Sequence, residues 1–201
     1  MQPENILNIA RKSLAGMDIY LLDLVLSGKL IPPMRVLDAG CGAGRNLAVL
    51  GSLGFDVVGL DRSAQALSDA RRQAPGAPIL RARLDALPWA TPTFDVVVAN
   101  AVLHFASNPD EFDGMLAELW RLLLPGGILF ARLAVIDGME AQASPRANGQ
   151  YGLPDGTVRF LSSLDNLELR TRTLGGSLVI PLKTALVHRQ RSMATWCLRK
   201  E

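Results

Sequence analysis

Three observations predict a doubly wound α/β fold: a largely parallel sheet with helices on both faces and an antiparallel hairpin at one edge. Short valine- and leucine-rich runs alternate with segments of helical periodicity between residues 34 and 135. The first of these runs enters a turn with glycine at every second position, which opens into a helix. The last two runs break the alternation, with only a turn at 188–191 between them, so they pair antiparallel.

The elements follow in order. Residues 3–29 have apolar positions near helical spacing, at Ile6, Ile9 and Leu14 and again at Ile19, Leu22, Leu26 and Leu30, and Pro32-Pro33 ends them. A strand at 34–38 leads into the glycine turn, and a helix at 45–53 stops at Gly54. A second strand spans 56–60, and Ser63 caps a helix running to Gln73. Pro75-Gly76 breaks that helix before a weak third strand at 78–82. A valine-rich strand spans 94–99. Pro109 opens a helix to Leu124, Pro125-Gly126-Gly127 stops it, and a fifth strand follows at 128–135. Residues 137–156, mixed in Gly, Pro, Asn and Ser, read as a long surface loop. A helix at 162–174 precedes strands at 177–187 and 193–199. The chain is thus expected to be a single domain: a helical N-terminal cap at 1–33, a core at 34–135, a loop at 136–161 placed as a lid, and a helix with the terminal hairpin at 162–201.

Bulk properties narrow the function. Of 201 residues, 49% are apolar and 20% charged, as in ordinary globular proteins, and the net charge of +2 carries no strong basic field for nucleic acid. From Arg159 onward there are eight Lys or Arg against three acids, a basic third that suits an anionic substrate or a solvated face. Two cysteines, Cys41 and Cys197, far apart and without metal-ligand spacing, suggest a reducing compartment, no disulfide framework and no metal site. No apolar run reads as a signal peptide or membrane span, so a cytoplasmic protein is expected. No motif sets an oligomeric state.

The chemistry concentrates in Leu37-Asp38-Ala39-Gly40-Cys41-Gly42-Ala43-Gly44-Arg45-Asn46. Such a loop serves a nucleotide of either of two kinds. A dinucleotide loop reads G-x-G-x-x-G and seats a pyrophosphate on the helix N-terminus. Here Arg45 holds the third glycine's place, and Asp38 precedes the loop, where a carboxylate suits an ammonium or sulfonium better than a pyrophosphate. Asp61, leaving the second strand, is placed to accept from both hydroxyls of an adenosine ribose; the plainer role is to cap the helix near Ser63. Asp85, in Leu84-Asp85-Ala86-Leu87-Pro88-Trp89, is placed to accept from an adenine amino group or simply to shape a turn.

Taken together, these segments resemble the class I S-adenosylmethionine-dependent methyltransferases, in particular the small bacterial type 11/12-like methyltransferase domains. The likeness lies in the glycine loop with its following Gly44-Arg45-Asn46, in Val58-Gly59-Leu60-Asp61-Arg62-Ser63, in Asp85-Ala86-Leu87-Pro88, in Phe94-Asp95-Val96-Val97 and in Leu123-Leu124-Pro125-Gly126-Gly127. It covers residues 34 to about 135. It implies a Rossmann-like seven-stranded sheet with an antiparallel terminal hairpin, S-adenosylmethionine as cofactor with S-adenosylhomocysteine as product, and methyl transfer to a small-molecule acceptor. By the same resemblance Gly40, Gly42 and Gly44 line the methionine part of the cofactor, Asp38 orients that end, and Cys41 offers backbone contacts. Asp61 holds the ribose, Arg62 packs beside the adenine, Asp85 and the Ala86 backbone bind its amino edge, and Asn100 faces the sulfonium and acceptor. The Asn/Asp-Pro-Pro-aromatic run of many nitrogen methyltransferases is replaced by Asn100-Ala101-Val102-Leu103, which disfavours nucleic-acid bases and protein amides.

His104, just after the fourth strand, is the candidate general base, against the plainer reading of a packed histidine; His188 has the weaker claim. Trp120 and Trp196 read as core, and Tyr151 as a pocket residue in the long loop. Two other readings stay open: an NAD-dependent oxidoreductase and a non-catalytic cofactor-binding module.

Overall fold

The computed structural model describes Leu14 and residues 16–201. The part of the N-terminal helical expectation before Leu14 lies outside the described residues. The chain divides into two compact units, Met1–Ala82 and Arg83–Glu201.

The first unit alternates helix and strand as expected. Helix α1 (Ile19–Leu26) is capped by Asp18, whose carboxylate accepts from the Tyr20 and Leu21 N–H groups. Strand β1 (Arg35–Ala39) leads through the glycine loop to helix α2 (Arg45–Ser52). Strand β2 (Asp56–Asp61), helix α3 (Ala64–Gln73) and strand β3 (Ile79–Arg81) follow. Ser63 caps α3 through its hydroxyl, which accepts from the Ala66 N–H at 3.2 Å. The strands lie in the order β1–β2–β3 and are all parallel, so the loops that follow β1 and β2 leave from the same end. Val36, Leu37, Ala39, Leu47, Leu50, Leu60 and Leu67 fill the core between strands and helices.

The second unit holds strand β4 (Phe94–Asn100), a 3-10 turn (Leu103–Phe105), helix α4 (Pro109–Arg121) and strand β5 (Leu123–Val135). The three short strands β6 (Ser144–Pro145), β7 (Gln150–Gly152) and β8 (Val158–Phe160) come next. Helix α5 (Leu164–Thr173) and strands β9 (Gly176–Leu178), β10 (Lys183–Val187) and β11 (Arg191–Lys200) complete it. Its main sheet runs β10–β11–β5–β4, with β4 and β5 parallel and β11 antiparallel to both its neighbours. The seven strands expected of the sheet are therefore present, three in the first unit and four in the second, and the short β9 adds a further pairing to β11. Trp120 and Trp196 are core residues as expected, and the Trp196 indole N–H donates to Thr171 Oγ1 at 2.9 Å.

Three expectations need correction. Strand β5 begins at Leu123, not Ile128. Its pairing with β4 jumps from Phe94↔Leu123 to Val96↔Ile128, so Pro125-Gly126-Gly127 is an irregularity inside a strand. Gly127 belongs there because a Cβ would lie 2.8 Å from the Leu124 carbonyl and 3.0 Å from that of Asp95. The strand read at 177–187 is two strands, β9 and β10, interrupted around Pro181, and each pairs separately with β11.

The loop read at 137–156 is not irregular throughout: it contains two short strands. With β8 it forms a three-stranded antiparallel sheet, β6–β7–β8. This sheet has its own apolar cluster of Met139, Ala143, Leu153 and Leu161 against Ala134 of β5 and Met193 of β11. Tyr151, partly buried, packs on that cluster.

Candidate active site

In the first unit the glycine loop is pinned from behind. The Gly40 and Cys41 N–H groups both donate to the Leu60 carbonyl at the end of β2, at 2.8 and 2.9 Å, and the Gly44 N–H donates to the Cys41 carbonyl. The Gly42 N–H donates to Asp61 Oδ2 at 3.0 Å, while Asp61 Oδ1 accepts from the Ser63 N–H at 2.8 Å. Asp61 thus ties the loop to the strand end, and the cap of α3 falls to Ser63. Gly40, Gly42 and Gly44 all have positive φ, which side-chain-bearing residues rarely adopt. Space around Gly42 is open, whereas a Cβ on Gly44 would stand 3.0 Å from the Ala70 Cα. Gly44 is therefore fixed by packing of the loop on α3, and Gly42 leaves the loop open to a ligand.

Asp38 sits beneath this loop, buried, and its Oδ2 has no hydrogen-bond partner among the described residues. Burial pushes its carboxyl up to about 7; Arg45 pulls it down in part, and the Asp61 carboxylate adds to the rise. The Cys41 thiol is pushed up to about 12, first by burial and then by Asp38 and Asp61, so it is an inert thiol. The backbone N–H expected of Cys41 as a ligand contact is already used on Leu60. Arg62 is exposed and its carbonyl accepts from Arg81 Nε at 3.1 Å.

In the second unit Asp85 is exposed and held by Arg83 through two hydrogen bonds, Nε to Oδ1 at 2.9 Å and Nη2 to Oδ2 at 2.7 Å. That pairing holds its carboxyl below the usual carboxylate range. Glu111 stands 3.6 Å from the same guanidinium. The Ala86 N–H closes a turn onto the Arg83 carbonyl, so both the acid and the turn expected of this segment are present. Asn100 ends β4, is 8% exposed, and neither its Oδ1 nor its Nδ2 has a partner among the described residues. Burying an amide in that condition costs free energy unless a ligand completes it.

His104 follows Ala101, whose φ of 60° turns the chain sharply after β4. The ring is buried and its Nδ1 accepts from the Ala134 N–H of β5 at 3.1 Å. Burial, with Arg159 and Arg191 nearby, lowers its proton affinity to about 4. The general-base expectation is corrected on this point: the lone pair a base would use is occupied by a backbone donor. No sequence signal announces that bond, because Ala134 is thirty residues away on another strand. Sequence reasoning also missed the Asp61–Gly42 bond and the Arg83 partner of Asp85. The first has no sequence signal; the second had one, a basic residue two positions before the acid. His188 lies in the β10–β11 turn with φ of 49°, a backbone role.

Comparison with known proteins identifies the domain. Residues 37–131 match the family model of the methyltransferase domain. The chain is 39% identical over 114 residues to the malonyl-[acyl-carrier protein] O-methyltransferase of Enterobacter lignolyticus, covering 56% of this chain and 44% of that protein. It is 35% identical over 104 residues to a trans-aconitate 2-methyltransferase of Acidovorax sp., covering 50% of this chain and 38% of that one. The chain thus spans less than half the length of these curated relatives. An S-adenosylmethionine-dependent methyltransferase of Methanosarcina mazei superposes with a TM-score of 0.73 at 19% identity, covering 88% of this chain and 96% of that chain, which shows the Rossmann-like fold. Among the described residues no helix is long and apolar enough to cross a membrane. The match at 37–131, the glycine loop pinned to β2 and the fold agree: residues 37–131 are similar to a methyltransferase domain, on the Rossmann-like fold that S-adenosylmethionine-dependent methyltransferases also have.

Proposed function

We propose that the chain transfers a methyl group from S-adenosylmethionine to a small-molecule acceptor. One observation carries this reading over a dinucleotide: the N–H groups of Gly40, Cys41 and Gly42 are spent on Leu60 and Asp61, and the loop keeps a buried carboxylate, Asp38, with a free oxygen. An anion would meet two carboxylates there, whereas a cationic ligand completes Asp38 and draws its proton off. The residues therefore fit S-adenosylmethionine, which supplies when bound a methyl group already activated on a sulfonium.

On this reading Asp38 and the open face at Gly40 and Gly42 take the charged methionine end, with Gly44 holding the loop on α3 and Cys41 shaping it from behind. Asp61, already fixed by two backbone donors, accepts from the ribose hydroxyls with its remaining lone pairs, and Arg62 flanks the base. Asp85 and the Ala86 backbone read the adenine edge, and the orphaned Asn100 amide completes itself on the ligand. The malonyl-[acyl-carrier protein] relative named above is an O-methyltransferase, which supports oxygen as the acceptor atom. Two buried free thiols support a reducing, cytoplasmic setting.

The test is a calorimetric titration of the protein and an Asp61→Ala variant with S-adenosylmethionine, S-adenosylhomocysteine and NAD. Binding of both adenosyl ligands but not NAD, weakened in the variant, is expected. Binding of NAD alone overturns the reading in favour of an oxidoreductase, and binding of none returns the fold to a module without this cofactor.

A further inference from the structure

We propose that His104 is a fixed Nε2–H donor that positions a carboxylate on the acceptor, with Arg159 and Arg191 selecting for the negative charge. The inference rests on the methyl-transfer reading and names its substrate class. A neutral imidazole has one N–H and one lone pair. The Ala134 N–H, 3.1 Å from Nδ1, takes the lone pair, so the proton resides on Nε2. A second proton would set donor against donor. No described residue accepts from Nε2, and that atom is not sealed in the way Asp38 Oδ2 and the Asn100 amide are. The side chain thus presents one oriented donor to whatever occupies the site.

Its surroundings define what that is. The Arg159 guanidinium lies 4.5 Å from the centre of the Phe105 ring, and the Phe105 and His104 rings are 4.9 Å apart. Arg159 and Arg191 both act on His104, and Asp155 is the acid that both also face. The Asp155 carboxylate is already taken up by Thr157, which donates to it through its N–H and hydroxyl at 3.0 and 2.6 Å. Two cations and a neutral donor therefore stand against one engaged acid, a field that draws a carboxylate and repels an amine. Phe105 is 47% exposed beside them and offers an apolar face to the acceptor's carbon skeleton.

The chemistry agrees with a histidine that cannot act as a base. A carboxylate oxygen attacks with its own electron pair: an O–C bond forms, the C–S bond breaks with its pair left on sulfur, and no proton has to leave. Such an acceptor needs orientation and desolvation, which a fixed donor supplies.

The chain has two histidines, so imidazole NMR of protein labelled with ¹⁵N-histidine is directly readable, with His188→Gln assigning the signals. His104 is expected to remain neutral and protonated on Nε2 from about pH 8 to about pH 5, with or without S-adenosylhomocysteine. Titration near the ordinary value of about 6.5, or a proton on Nδ1, overturns the proposal. With S-adenosylhomocysteine bound, succinate is expected to shift the Nε2–H signal and succinamide to leave it, and Arg159→Gln to weaken the succinate response about tenfold. An equal response to both probes, or none to succinate, sinks the acceptor class. If S-adenosylhomocysteine itself fails to bind by calorimetry, the methyl-transfer reading falls, while the tautomer is still decided on the ligand-free protein.

Discussion

Asp38 in the first unit and His104 in the second are both buried, both titratable, and both driven toward neutrality chiefly by loss of solvent. They are left in opposite conditions. Asp38 keeps an oxygen without a partner, while His104 has its only lone pair filled by a backbone donor. An unsatisfied buried acceptor is a standing cost that a ligand can remove, and a satisfied one is a fixed geometry. The difference separates a group that answers to charge from one that answers to shape.

The comparison can be broken in several places, beginning with the largest effect. The folded carboxyl of Asp38, at about 7, stands above its ordinary 3.8, so its burden is felt in full above that folded value and vanishes in acid. Asp38→Asn is therefore expected to stabilise the ligand-free protein by up to roughly 4 kcal/mol near pH 8, with the gain closing toward pH 4, and to weaken S-adenosylhomocysteine binding. Thermal melts that shift equally at both pH values remove Asp38 from the argument.

His104 has the opposite sign. Its folded value, about 4, lies below 6.5, so the stability of its neutral form is present above 6.5 and is lost as pH falls toward 4. His104→Gln retains an acceptor for Ala134 but takes no proton, and should recover up to about 3 kcal/mol of that acid loss in denaturant titrations. An unchanged acid limb would show that the imidazole is not shielded.

Asp61→Ala removes an acceptor from Gly42 and Ser63 as well as from the ligand, and should lower S-adenosylhomocysteine affinity about 100-fold. A loss under about threefold would mean that the loop holds itself. Gly44→Ala meets both a positive φ and Ala70, and should cost about 2–3 kcal/mol of stability by denaturant unfolding, against about 1 kcal/mol for Gly42→Ala in open space. Equal costs would show that Gly44 is not fixed by α3.

The smallest effect concerns the β6–β8 sheet. Packed on its own apolar cluster, it should resist trypsin at Arg146 and Arg159 equally with and without S-adenosylhomocysteine. Protection gained only on ligand addition would show instead that the segment closes over the ligand as a lid.

Much of the first unit was legible because its signals are local. Ser63 caps α3 by accepting from the N–H three residues on, and valine followed by aspartate marks both β1 and β2. The second unit was legible only where runs were long. Strands β6, β7 and β8 have two or three residues each, too few to show an alternating pattern, and Asn148 and Gly149 among them read as loop. Proline and glycine inside β5 read as a stop because the shift in its pairing with β4 depends on Phe94, nearly thirty residues earlier. For the site, the identity of the acidic residues could be read, but their partners could not: Gly42 for Asp61 and Ala134 for His104 are brought in by the sheets.

Strand β11 follows every other element of the second unit along the chain, yet it lies between β10 and β5 and also receives β9. During synthesis β5 waits with one edge bare, and its partner is made some sixty residues later. Until then β4 and β5 expose a row of unpaired amides and the apolar faces meant for Trp196 and Met193, a surface that a ribosome-bound chain must keep from other chains. A nonsense or frameshift lesion upstream of Arg191 would therefore leave that edge of β5 unpaired, a template for aggregation rather than the edge of a shortened enzyme.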